Sequence, residues 1–187
     1  PAAAAGTRRG DDAGQIAGSS FHTVQSVEKA HAFLRKNKKL VALGTLPPSD
    51  SSTAVAVNNS GIVVGESAGM AFSASQNRMR SLGVLPGETS SGAGDINDAG
   101  VIVGNSGARL FRWDGSALVD LGRPAGAVAI SASAVNATNE IVGSYRLSED
   151  GEDRAFYYAN AAFTDLGSLS AGAVAHDINK SGRIVGT

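Results

Sequence analysis

The chain has no cysteine, which excludes a disulfide framework, a thiol nucleophile and any cysteine-based metal centre. Aromatic residues are scarce, at 5% of 187, and charged residues make up only 18%. Lys+Arg number 16 against 17 Asp+Glu, so the formal net charge is −1. Such a chain lacks the positive field that nucleic-acid binders use, and neither DNA nor RNA is an expected partner. Its one basic cluster, Arg35–Lys39, lies between two short apolar runs and suits a solvated hairpin tip. No apolar run approaches the ~20 residues of a membrane-spanning helix. The opening residues 1–6 lack the basic stretch and apolar core of a signal peptide. Helix signals are nearly missing too. Ser26–Leu34 suggests at most a helical turn ahead of a strand.

What is present is glycine, at 24 residues, and one phrase stated five times: Gly10–Gly18, Ala56–Gly65, Asp95–Gly104, Ala134–Gly143 and His176–Gly186. The closing glycines Gly18, Gly65, Gly104, Gly143 and Gly186 are 47, 39, 39 and 43 residues apart. Other landmarks recur between them in fixed order. A small or apolar residue precedes Phe33, Phe72, Phe111 and Phe156, and a Leu-Gly pair ends at Gly44, Gly83, Gly122 and Gly167. An Ala/Val/Ile run then reaches Asn58, Asn97, Asn136 and Asn179. A chain built from copies of one unit is understood through that unit.

Each landmark has the composition of a short strand, rich in β-branched and small residues without a helical period. The Asn-x-x-Gly between the first two strands is turn chemistry. Asn bonds its side chain to nearby backbone, and Gly (Asn139 in one unit) takes the positive φ of a tight hairpin. The unit is therefore four strands, a to d, followed by a Gly/Pro/Ser-rich crossover. The predicted fold is all-β: a β-propeller-like array of four-stranded antiparallel blades, with four complete repeats and an a–b half repeat. We place the units at about 3–44, 53–83, 92–122 and 131–167, with a partial unit at 173–187, in one repeat domain spanning 1–187. The half repeat leaves strand edges open, which implies that the chain is a piece of a longer protein, that the first and last units combine, or that chains associate.

His31-Ala32-Phe33-Leu34, Leu43–Leu46, Asp165–Leu169 and the recurrent Ile-Asn…Gly…Ile-Val-Gly resemble the bacterial extracellular HAF repeat family, named for its His-Ala-Phe motif. The resemblance covers almost the whole chain. The histidine is kept at His31, whereas Met70, Arg109 and Arg154 stand near or at its place in later units; Phe111–Gly122 is close to the family pattern. The resemblance implies propeller-like repeats in a secreted or surface-exposed protein. It implies no activity and no cofactor.

Several residues are candidates for chemistry. Gly65–Gly69 matches G-x-S-x-G, but that motif needs a strand-to-helix turn, and here a strand follows. Ser67 is therefore expected to be structural. His22, His31 and His176 are the only imidazoles. If strand a is innermost, Asp95, His176 and Asp177 could line a central channel as acid and base or as metal ligands; the alternative is that they solvate strand ends. The acidic b–c segment Ser148–Arg154 offers Asp150, Glu152 and Asp153 to Ca²⁺, although the spacing fits no EF-hand loop. The first unit's b–c connection, Ser19–Ala30, also reads as an enlarged loop, on the same face. Trp113 suits packing better than a sugar platform, and the sequons at Asn58 and Asn136 overlap turn residues.

Two functions follow. The first is a non-enzymatic extracellular repeat domain that serves for binding or as a surface scaffold, its ligand not named by the sequence and carbohydrate or protein the candidates. The second is a secreted hydrolase or lyase acting on a glycan or similar polymer, with its site at the channel mouth near Asp95, His176 and Asp177. Fold alone does not separate them.

Overall fold

A computed structural model describes residues 5–10, 14–24, 27–76, 78–167 and 172–187, and of residues 5–10, 22 and 24 the backbone only. The first sheet comprises β1 (Ala5–Gly10), β2 (Ile16–Val24), β3 (Val27–Lys36) and β4 (Lys39–Ala42). The second comprises β5 (Ser52–Val57), β6 (Val63–Ser67), β7 (Met70–Ser75) and β8 (Arg78–Gly83). The third comprises β9 (Ser91–Ile96), β10 (Ile102–Ser106), β11 (Arg109–Trp113) and β12 (Leu118–Gly122). The fourth comprises β13 (Ala129–Val135), β14 (Ile141–Arg146), β15 (Arg154–Ala159) and β16 (Ala162–Asp165). A two-stranded sheet of β17 (Ala175–Ile178) and β18 (Ile184–Gly186) follows. Each four-stranded sheet is an antiparallel meander in chain order, and the described residues contain no helix.

The turns form where the local chemistry directs them. Gly61, Gly100 and Gly182 have φ of +77°, +82° and +74°, and Asn139 takes the same place at +64°. Asn tolerates this left-handed conformation better than a β-branched residue does. In every unit the first strand carries an irregularity opposite the second, at Thr7/Arg9, Ala54/Ala56, Ala93/Asp95, Ala132/Ala134 and Ala175/Asp177. One extra residue bends the strand and re-aims a side chain.

The same bulge explains the anchor glycine. A Cβ on Gly65, Gly104 or Gly143 would run into the main-chain carbonyl of Thr53, Gly92 or Ser131. At Gly104 and Gly143 it would also meet the ring of Phe111 or Phe156, the residue directly across the sheet. Gly and Phe thus form one lock: the bare backbone leaves the space that the ring fills.

Apolar cores lie between consecutive sheets. Phe111 packs with Ala71, Leu82 and Leu85 of the preceding unit, and Phe156 with Leu110 and Ala127. Phe72, Phe111 and Phe156 are fully buried. Against ~25 cal/mol per Å², a buried Phe contributes about 2–3 kcal/mol, so a chain poor in aromatics concentrates that stabilisation at one position per unit.

Two readings of the sequence need correction. Residues 27–36, which include most of the suspected helical turn, are a strand. The enlarged segment of the first unit is not a loop: β2 and β3 pair continuously from Ile16↔Arg35 to Val24↔Val27. Its β-branched and aromatic residues extend the ladder because cross-strand pairing satisfies the backbone groups that a loop would leave to solvent.

Candidate functional site

The first strands of successive units lie next to one another, β1 by β5, β5 by β9, β9 by β13 and β13 by β17, and the recurrent polar residues sit along them and at their turns. In the a–b turns of the last four units the Asn side-chain oxygen accepts from the backbone N–H four residues on, at 3.0 Å: Asn58–Ile62, Asn97–Val101, Asn136–Glu140 and Asn179–Arg183. The other end of the side chain reaches the next unit. The amide nitrogen of Asn58 donates to the Asn97 carbonyl at 3.1 Å, Asn97 to Asn136 at 3.0 Å, and Asn136 to Asn179 at 3.2 Å. The sequence shows these Asn as turn formers; their role as inter-unit staples was missed. The spacing carried the signal, because the partners are 39, 39 and 43 residues apart, as the last four anchor glycines are.

Serines form a second series. Ser52 accepts from the Ala32 N–H at 3.0 Å and donates to the Gly44 carbonyl at 2.7 Å; Ser91 does the same with Ala71 and Gly83. Ser67 is buried, accepts from the Leu46 N–H at 2.9 Å and donates to the Ser51 carbonyl at 2.8 Å. Both functions of its hydroxyl are used by the crossover, which is a structural role. Ser106 repeats the arrangement with Leu85 and Ser90.

Asp95 is buried, and its carboxylate accepts from the Val135 N–H of the next unit at 2.9 Å. Asp177 is exposed and accepts from the Ile178 N–H at 2.9 Å. His176 is exposed, with Nε2 3.0 Å from the Thr187 hydroxyl. His176 lines a cavity of about 490 Å³ together with Val55, Gly94, Ser131 and Ser133. Asp95 and Asp177 do not line it. Val55, Gly94, Ser133 and His176 are the extra residues of four successive bulges, so one irregularity in the strand builds this wall. Its polar groups are two hydroxyls and an imidazole, a set suited to hydrogen bonding a neutral polar ligand.

A second cavity, of about 270 Å³, lies at the a–b turns against Asn58, Asn59, Asn97 and Asp98. Asp98 is engaged there, accepting from the Asn59 main-chain N–H at 2.9 Å and from its side-chain amide at 2.8 Å. Nearby, the Tyr157 hydroxyl at 2.5 Å and the Asn136 amide hold the Glu140 carboxyl below its ordinary range.

The remaining candidates are dispersed. In the acidic loop Asp153 faces Arg146 at 3.6 Å, Glu152 accepts from the Gly172 N–H at 3.1 Å, and Asp150 is exposed. Among the described residues no group of three or more His, Asp and Glu side chains converges as an ion would require. Trp113 is in the core, with the Arg80 guanidinium 5.0 Å from its ring centre. Asn58 and Asn136 are buried, which closes both sequons to glycosylation. His31 reaches the Asp50 carbonyl at 2.9 Å, and the His22 side chain lies outside the described residues.

No helix among the described residues is long and apolar enough to cross a membrane. Compared with known proteins, the chain matches no family model and no curated sequence.

Proposed function

We propose that this chain is a propeller-like repeat scaffold that binds a polar ligand, carbohydrate or protein, without transforming it. The carrying observation is the cavity of about 490 Å³ where four first strands meet, walled by bulge residues and edged by Ser131, Ser133 and His176. Rigid repeats that present variable positions around a common cavity suit binding. The resemblance of His31–Leu34 and the repeated phrase to HAF repeats carries the extracellular part of the proposal.

The hydrolase or lyase alternative needs an acid and a base within reach of one substrate atom. Asp95 instead holds the Val135 backbone, and the wall offers His176 without a carboxylate. The test uses affinity electrophoresis in gels containing dextran, alginate or soluble chitin oligomers, alongside a reducing-end assay. The expected result is retardation in at least one polymer, loss of retardation in Ser133→Trp, which fills the cavity, and no release of reducing ends. Reducing-end release abolished by His176→Ala would establish the enzyme instead, and retardation unchanged in Ser133→Trp would remove the cavity from binding.

A further inference from the structure

Between the first and second sheets runs a groove of about 480 Å³, bordered by Leu34, Lys36, Val41, Ser60, Ile62 and Gln76. One small residue helps to open it. Two positions after the buried Phe, the third unit carries Trp113 and the fourth Tyr158, and each ring packs into the core shared with the preceding sheet. The second unit has Ala74 there, and a methyl fills far less of the space between the sheets.

The groove is cationic. Lys36 and Lys39 stand directly across the β3–β4 ladder, on the face that Leu34 and Val41 turn to the second sheet. Lys38 sits in the turn between them. A Cβ built on Gly61 would lie 3.6 Å from the Lys36 ammonium nitrogen, so that charge hangs over the second unit's a–b turn. Like charges directly opposed across a ladder are destabilising unless a counter-charge intervenes. Other cations have one: Lys29 pairs with Asp50, Arg109 with Glu88 and Asp120, and Arg154 with Asp165. Lys36, Lys38 and Lys39 have no ion pair among the described residues, and no carboxylate borders the groove.

We propose that this groove binds a linear acidic polysaccharide, with a uronate carboxylate between Lys36 and Lys39 and the sugar ring along Leu34, Val41 and Ile62. Ser60 and Gln76 supply donors and acceptors for the ring hydroxyls. A short apolar wall with a few polar groups at its rim is what a ring with one apolar face and several hydroxyls requires. Single-stranded nucleic acid is a poorer fit, because no aromatic ring borders the groove to stack a base. The groove shares no residue with the cavity lined by His176, so either proposal can fail without the other.

The test titrates a fluorescein-labelled oligogalacturonate into the full chain at low salt. Expected is saturable binding in the range of about 10–200 μM that weakens at least about tenfold between about 50 and about 300 mM NaCl, since charge pairs at a surface are screened. Lys36→Glu/Lys39→Glu should weaken it at least about tenfold, and so should Ser60→Trp, which puts a ring in the groove. Arg123→Glu/Lys180→Glu, an equal change of net charge at exposed positions elsewhere, should leave it within about twofold. No saturation up to about 1 mM, or equal loss in the two charge-reversed proteins, would overturn the proposal. So would binding that Ser60→Trp does not weaken. Tighter binding of an oligonucleotide or of phosphatidylserine vesicles, lost in Lys36→Glu/Lys39→Glu, would overturn it as well, because the occupant would then be a nucleic acid or a membrane.

Discussion

Val103 and Val185 stand at the same point of the same phrase, one residue before an anchor glycine, yet Val103 is 0% exposed and Val185 is 63% exposed. Asn97 and Asn179 differ in the same way. Both shape a turn, but Asn97 is buried and bonded to the next unit, while Asn179 is exposed and its amide nitrogen has no partner among the described residues. The hairpin is therefore a property of the local sequence, whereas burial is conferred by the neighbour. One motif does two jobs, and the presence or absence of a packed neighbour separates them.

The largest expected effect tests the Gly–Phe lock on both sides of that divide. In Gly143→Val the new side chain meets the Ser131 carbonyl and the Phe156 ring. A loss of about 3 kcal/mol or more is expected in urea denaturation. Gly186→Val also meets a carbonyl, that of Val174, but no ring closes over it. Its loss should be about 1 kcal/mol or less, because fraying of the last hairpin relieves the clash. Similar midpoints for the two variants would show that the last hairpin is as firmly held as the fourth unit.

The asparagines sharpen the comparison at intermediate size. Asn97→Ala takes partners from the Val101 N–H and the Asn136 carbonyl in a buried place, with an expected cost of about 2 kcal/mol. Asn179→Ala removes turn bonds only, and about 0.5 kcal/mol is expected. Equal losses would mean that the inter-unit bond contributes nothing.

The smallest effect isolates the turn itself. Nothing lies within 4 Å of a Cβ added at Gly100, where φ is +82°. Gly100→Val should cost about 1–2 kcal/mol from backbone strain alone, and Gly100→Asn only a few tenths. Asn139, at φ +64°, is the native precedent. Identical melting temperatures for the two variants would remove positive φ as the reason for glycine.

Much of the fold was legible because its causes are local. Short runs of β-branched and small residues, Asn-x-x-Gly turns and landmarks in fixed order give the antiparallel four-stranded units without reference to distant residues. The long β2–β3 hairpin was misjudged because Ser19–Ala30 mixes polar residues with few apolar ones, and a two-stranded extension needs only cross-strand backbone pairing. The candidate site was less legible. Asp95, His176 and Asp177 belong to matching strands, but one residue of bulge decides which of two adjacent side chains faces the cavity.

By itself, then, the sequence determined the all-β class, the order of strands within each unit, the positive-φ turns and the structural character of Ser67, since each depends on residues close together in the chain. Only the tertiary structure decided that the same asparagines join neighbouring units, that Asp95 is spent on the Val135 backbone, and that His176 rather than either aspartate borders the cavity. Those outcomes depend on where a side chain's second hydrogen bond goes and on which face a bulged strand presents. Both are set by the packing of one sheet on the next, across about forty residues of intervening chain.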